Sequence, residues 1–292
     1  MTSPFVIFWI YTSALLLLWI YIVSCFSKDV FFNLYVNRAR TLLFKPVTWV
    51  QSIAPKCTEW AAAAILLVFV LLLRCAVAKA SGKPLFHSFG GYAGIEMKAD
   101  LNSFPASALF SLVSFVIIVC QANLIRLALV LRFGKRAKVP VMECLATVSS
   151  PLSIPSLKIS AVATAACLLA CTALMALSTA AMFPPAEIGG ITLANPFGAE
   201  PLFAVKLTLI AVVDILSIVK SGLMLLIFIS IAGLLFRNMT VMGMANEWLG
   251  VFSRAFVKNP IGVGMLDFTP LILYYVLGFV HGILIDLINN LL

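Results

Sequence analysis

The stretch "PIGVGMLDFTPLILYYVLGFVHGIL", Pro260 to Leu284, sets a polar threshold in front of an apolar run that continues to Leu292. A bilayer core about 30 Å thick needs about 20 helical residues to cross it. The run from Pro270 is long enough. The threshold holds Gly262, Gly264, Asp267 and Thr269, residues that turn a chain or cap a helix. Pro270 suits the first turn of a helix, where its missing N–H costs nothing.

Outward from this stretch the chain is equally apolar. It has 292 residues, 63% of them hydrophobic and 11% charged, with a mean hydropathy of +1.11. Soluble domains average about 45–50% apolar and about 25% charged residues. These values define an integral membrane protein. The formal charge of +9 collects in the loops between apolar runs, as membrane topology requires, so it does not point to nucleic acid. The seven cysteines contain no C-x-x-C and no Cys/His metal spacing, and Cys167 and Cys171 read as small apolar filler. The first apolar run, Phe5–Phe26, lacks a basic leader and exceeds a signal-peptide core, so a retained span is expected.

Six runs have the length of a span: roughly Phe5–Phe26, Trp60–Ala78, Pro105–Leu131, Ile159–Phe183, Leu202–Phe236 and Pro270–Leu292. The fifth is too long for one untilted crossing and carries Asp214, Lys220, Ser221 and Gly222. It reads either as one long helix or as two half-spans. The first loop holds Lys28, Arg38, Arg40, Lys45 and Lys56, the third region Arg126, Arg132, Lys135, Arg136, Lys138 and Lys158, and the fifth Arg237, Arg254 and Lys258. The second offers only Arg74, Lys79, Lys83 and Lys98, and the fourth only Lys206. The odd loops are therefore expected in the cytoplasm and both termini outside.

The odd loops are more than connectors. In "NLYVNRARTLLFKPVTWVQSIAP", Tyr35, Ala39, Leu42, Pro46, Trp49 and Ile53 recur at helical spacing against Asn37, Arg40, Thr41, Thr48 and Ser52. This is a basic amphipathic helix for the headgroup region, expected to kink or end at Pro46. After the fifth run, Met242, Ala245, Leu249, Phe252 and Phe256 oppose Asn246, Gly250, Arg254 and Lys258. A weaker copy, "KVPVMECLATVSSPLSIPSLKIS", follows the third run, with Pro151 placed much as Pro46 is. Span, interfacial segment and span thus recur at about 5–84, 105–185 and 202–292. The fold class is an all-α membrane bundle of about six transmembrane helices with two or three internal repeats. The corresponding divisions are 1–84, a middle insertion or degenerate repeat at 85–201, and 202–292.

The last copy, "ANEWLGVFSRAFVKNPIGVGMLDFTPLILYYVLGF", resembles the YggT (YlmG-related) membrane family. That family's unit ends in Ile-Pro, then Gly-Gly-Ile-Asp-Phe-Ser-Pro and a span. Gly262, Gly264, Asp267, Phe268, Thr269 and Pro270 occupy the motif positions, "IVKSGLMLLIF" with Lys220 also looks like the family, and the first copy keeps Pro46, Ile53 and Pro55. The first copy lacks the Gly-Asp-Ser-Pro element, has Trp19 near the family's arginine and Gln51-Ser52 where the family is Arg-rich, and the last has Glu247 in place of a proline. The middle third is not typical. The resemblance implies links to envelope organisation, cell division, osmotic tolerance and, in plastid relatives, cytochrome cofactor assembly, in a bacterial cytoplasmic membrane.

The residues themselves suggest two roles for the threshold. Asp267 or Thr269 caps the last helix, or Asp267 binds a ligand; Thr58 and Ser156 are the equivalent caps of the other copies. Ionisable groups at membrane depth are functional candidates by default. These are Asp214 and Lys220, six residues apart on different helix faces, and His281, which reads as a packing residue before a ligand. Asn123 and Arg126 are candidates for bonds across helices. Arg38, Arg40, Lys45, Arg254 and Lys258 are expected at anionic headgroups. There is no P-loop, G-x-S-x-G or H-E-x-x-H, and no cofactor, metal or catalytic residue is expected. The expected function is a non-enzymatic scaffold or assembly factor, with membrane-protein partners or its own copies. The alternatives are a small ion channel or transporter, using Asp214 and Lys220, or an accessory subunit of a larger complex.

Overall fold

In the computed structural model the described residues are 4–26, 33–81, 85–89, 95–99, 104–134, 139–182, 186–188, 191–193, 203–258, 261–263 and 266–291. Gly264, Arg136 and the Gly90-Gly91 pair of the second loop lie outside them. Nine helices are found among the described residues: α1 Pro4–Ser24, α2 Leu34–Ile53, α3 Glu59–Ser81, α4 Phe104–Phe133, α5 Pro140–Val148, α6 Leu157–Met182, α7 Phe203–Leu235, α8 Met239–Phe256 and α9 Thr269–Leu291. Each third of the chain runs long helix, shorter helix, long helix. Five helices, α3, α4, α6, α7 and α9, are long and apolar enough to cross a membrane. The side chains of α1, a helix of 21 residues, are described from Ile10 onward.

The fifth apolar run is one helix. α7 continues through Asp214, Lys220 and Gly222 for 33 residues, about 50 Å at 1.5 Å per residue. That exceeds a hydrocarbon core of about 30 Å, so the helix tilts or protrudes. At its end Arg237 adopts a left-handed backbone (φ 53°). Gly233 gives the room for the turn, because a Cβ there would lie 2.9 Å from the backbone nitrogen of Met242.

Short strands add to an otherwise helical chain. β1 Leu85–Phe89, β2 Ile95–Ala99, β3 Ala186–Ile188 and β4 Ile191–Leu193 form an antiparallel sheet in that order, and β5 Gly262–Val263 pairs with β6 Leu266–Asp267. The fold class is all-α as expected, with these short strands confined to the loops. The second loop contributes an antiparallel strand pair, β1 with β2, and "LFHSF" is rich in strand-favouring side chains.

The loops sort by end. β2 from the second loop pairs with β3 from the fourth through Ile95 and Ile188. At the opposite end the short helices meet: the rings of Tyr35 on α2 and Trp248 on α8 stack edge to face at 5.4 Å, and Asn33 Nδ2 donates to the Pro140 carbonyl of α5 at 2.8 Å. Helices α3, α4, α6 and α7 each join one end to the other.

Lipid supplies no hydrophobic push between helices, so close packing and polar bonds must hold them. α4 is the most enclosed of the five apolar helices. Its Phe110, Val113, Ile117 and Cys120 pack with Leu168 of α6 and Leu207 and Ile210 of α7. Lower down, Ile125 and Leu129 meet Val141 and Leu145 of α5, Leu223 of α7, and Leu273 and Leu277 of α9. Ala62 and Ala63, both fully buried, give α3 a smooth face that packs with Tyr21 of α1 and Val47 of α2. Outside this core Phe69, Phe228, Tyr275 and Phe279 are exposed, an apolar exterior that suits lipid and not water.

α2 runs through Pro46 without ending, and the proline stands on an exposed side. Its face towards the protein is Val36, Ala39, Val47 and Val50, whereas Leu42, Trp49 and Ile53 of the expected apolar face point outward. The helix has three sides: one for the bundle, one apolar and open, and one polar with Asn37, Arg38, Thr41 and Lys45. That is the division an interfacial helix needs.

Candidate functional site

The polar residues of the long helices form three groups. One lies among α4, α7 and α9. Asp214 lies 11 residues after Phe203, about 17 Å along α7, and His281 lies 12 residues after Thr269, about 18 Å along α9 from the opposite end. Asp214 thus stands about a third of the way along α7 and His281 about halfway along α9. Gln121 of α4 joins them, donating from Nε2 to the Ala211 carbonyl at 3.0 Å and to Asp214 Oδ2 at 3.4 Å. His281 Nε2 stands 3.9 Å from Asp214 Oδ1, too far for a hydrogen bond, and this buried nitrogen has no hydrogen-bond partner. All three residues are more than nine-tenths buried. Lys220 also reaches α9, with Nζ 5.1 Å from the centre of the Tyr274 ring. Gly278 makes space for it, since a Cβ there would lie 3.2 Å from Nζ. Asp214, Lys220 and His281, three separate candidates in the sequence, thus converge on one helix pair.

The second group ties α4 to α6. Asn123 Nδ2 donates to Ser160 Oγ at 3.1 Å and Thr164 Oγ1 at 2.6 Å, while its Oδ1 accepts from Arg126 Nε at 2.8 Å. Arg126 Nη2 donates to Ser160 at 3.0 Å. The bonds across helices expected for Asn123 and Arg126 are present, and they satisfy donors that lipid would leave bare.

The third group had no expected role. Arg74, counted with the second loop, is buried within α3 and donates to Ser111 Oγ at 3.1 Å. His87 of β1 is buried against Ser114. Outside the spans as it is, burial, helped by the Arg74 charge, holds its imidazole down to about 3 from the ordinary 6.5. The available signal was Ser107, Ser111, Ser114 and Gln121 at a spacing of four, three and seven, one stripe of α4.

The basic residues split. Arg38, Lys45, Arg254 and Lys258 are exposed on or beside α2 and α8. Arg40 is corrected: it pairs with Glu59 at 3.3 Å and lies over the Tyr21 ring at 5.3 Å, tying α2 to α3 and α1. The end they share is pinned by Tyr35, whose hydroxyl donates to Glu247 at 2.6 Å, and by Asn33, which donates to Glu143 at 3.3 Å. Burial and Glu247 raise the Tyr35 hydroxyl above the ordinary tyrosine range.

At the threshold, Asp267 Oδ1 accepts the N–H of Thr269 at 2.9 Å, and Thr269 Oγ1 accepts that of Ile261 at 2.7 Å. Pro270 is the second residue of α9, and Gly262 opens the β5 to β6 hairpin. Thr58 and Ser156 differ from expectation: only their backbone carbonyls bond the starts of α3 and α6, accepting from Ala62 and Ser160. Among the described residues no group of three or more His, Cys, Asp or Glu side chains is placed to hold a metal ion.

Fold and site together define a multi-pass helical membrane protein with ionisable groups buried between its long apolar helices. Comparison with protein-family models, with curated proteins and with solved structures finds no match for this chain.

Proposed function

We propose that the chain is a six-span, YggT-like membrane scaffold without enzymatic activity, with three repeats of span, interfacial helix and span. Its odd loops face the cytoplasm and its termini lie outside. One observation carries the reading: α2, α5 and α8 are interlocked through Tyr35–Glu247 and Asn33–Glu143, and the joined end leaves Arg38, Lys45, Arg254 and Lys258 exposed. Such a platform offers cations to anionic headgroups and to acidic partner surfaces, each near-surface cation contributing about 1 kcal/mol of attraction. The role needs an ordered surface and no reaction. Purification from the native membrane in mild detergent, followed by mass spectrometry, is the test. A defined membrane partner that is lost from Lys45→Glu/Arg254→Glu supports it; reproducible ion flux in liposomes, abolished by Lys220→Leu and without a partner, overturns it.

The second reading, a small channel or transporter, is favoured by the placement of Asp214, Lys220 and His281 on one helix pair. Intramembrane charges cost at least about 2.5–3.5 kcal/mol to insert and mark ion and proton pathways in many membrane proteins.

A further inference from the structure

From the geometry among α4, α7 and α9 we propose that His281 and Asp214 form a proton-binding site in the interior of the bundle. The inference does not depend on the scaffold reading and gives the transport reading its ligand, a proton.

His281 Nε2 is buried, bonded to nothing, and 3.9 Å from a carboxylate oxygen. A neutral imidazole holds one proton, on Nδ1 or on Nε2. Taking up a second proton from the solvent's hydronium pool gives an imidazolium whose Nε2–H points at Asp214 Oδ1, and the contact becomes a charge-assisted bond of about 2.8 Å. Closing the gap requires a shift of about 1 Å.

The surroundings fit a site that gains and loses its proton. Gln121 does not titrate, and its bonds to the Ala211 carbonyl and Asp214 fix the carboxylate on the side away from His281. Lys220, also on α7, opposes a positive charge on His281, and Tyr274 of α9 lies beneath it. The thiols of Cys120 and Cys171 belong to the same core as Ile285, one turn beyond His281. Burial and the Lys220 ammonium oppose the imidazolium while the Asp214 carboxylate attracts it, so its proton affinity must follow a change in either charge.

The chain has two histidines, so nitrogen NMR of histidine-labelled protein in phosphatidylcholine nanodiscs yields two imidazoles, assigned with His87→Asn. The expected result is that His281 gains a proton as the pH is lowered across the range in which the protein stays folded. Asp214→Asn should lower its proton affinity at least about tenfold, and Lys220→Met should raise it. A role in packing alone does not produce opposite shifts. An imidazole that stays in one form across that range in the wild type, or shifts of the same sign in both variants, overturns the proposal. If Asp214→Asn does not fold, the wild-type titration and the direction of the Lys220→Met shift decide it.

Discussion

In the first third of the chain, α1, α2 and α3 are tied by Glu59, which accepts from the Tyr21 hydroxyl at 2.6 Å and pairs with Arg40 at 3.3 Å. In the last third, α7 and α9 hold Asp214, Lys220 and His281 well inside their length. The helix order is the same in both. Glu59 opens α3, and its side chain is 41% exposed, so water can solvate its charge and the pair is a clamp. Asp214 has no such recourse. A charge near a helix end holds helices together at little expense, whereas the same type of charge in mid-membrane must be compensated by neighbours and is retained for what it binds.

The sharpest way to break this contrast is to delete one acid from each third. Asp214→Leu should lower stability in detergent by about 3 kcal/mol, because it removes the buried carboxylate that Gln121 and His281 face. Glu59→Leu should cost less than about 1 kcal/mol, since a half-exposed pair is screened. Thermal unfolding of both variants measures the difference, and equal losses would erase the distinction. The two histidines sharpen it further. His87 is depressed to about 3 from 6.5, so the unfolded chain binds the extra proton, and the stability given by neutral His87 is lost as pH falls below 6.5. On lowering to about pH 5 the fold should lose about 2 kcal/mol, and His87→Asn should be less sensitive to acid.

Smaller effects test the seams. Tyr35→Phe removes the bond to Glu247 between the first and last thirds and should cost about 1 kcal/mol. Because the Tyr35 hydroxyl is raised, this contribution holds below the ordinary value of 10.0 and fades as pH rises beyond it. Least of all, Asp267→Ala should lower stability by about 1 kcal/mol through the lost bond to Thr269, while Thr58→Ala, with no side-chain cap to lose, should be nearly silent in the same melts.

The helices and their order were legible because an apolar run of about 20 residues has few alternatives to a span, and the motif at Asp267 stood out against it. Asp214, Lys220 and His281 could be singled out from where they fall within their runs. Their convergence was not, since which faces of α7 and α9 meet depends on packing that no local pattern encodes. Arg74 and Arg40 were misplaced for one reason. Both were counted as free loop cations, and their partners Ser111 and Glu59 lie 37 and 19 residues away. Leu42, Trp49 and Ile53 were correctly grouped as one face of α2, but hydrophobic spacing does not tell a face that meets protein from one that meets lipid.

The sidedness of the loops tests the account most directly. Single cysteines at Lys45, Glu143 and Arg254 report α2, α5 and α8, and one at Lys79 reports the far end of α3; labelling in sealed vesicles with a maleimide that cannot cross the membrane is compared with the wild-type background. The account predicts that the first three share one side and Lys79→Cys takes the other. Labelling of Glu143→Cys or Arg254→Cys from the Lys79 side would contradict it.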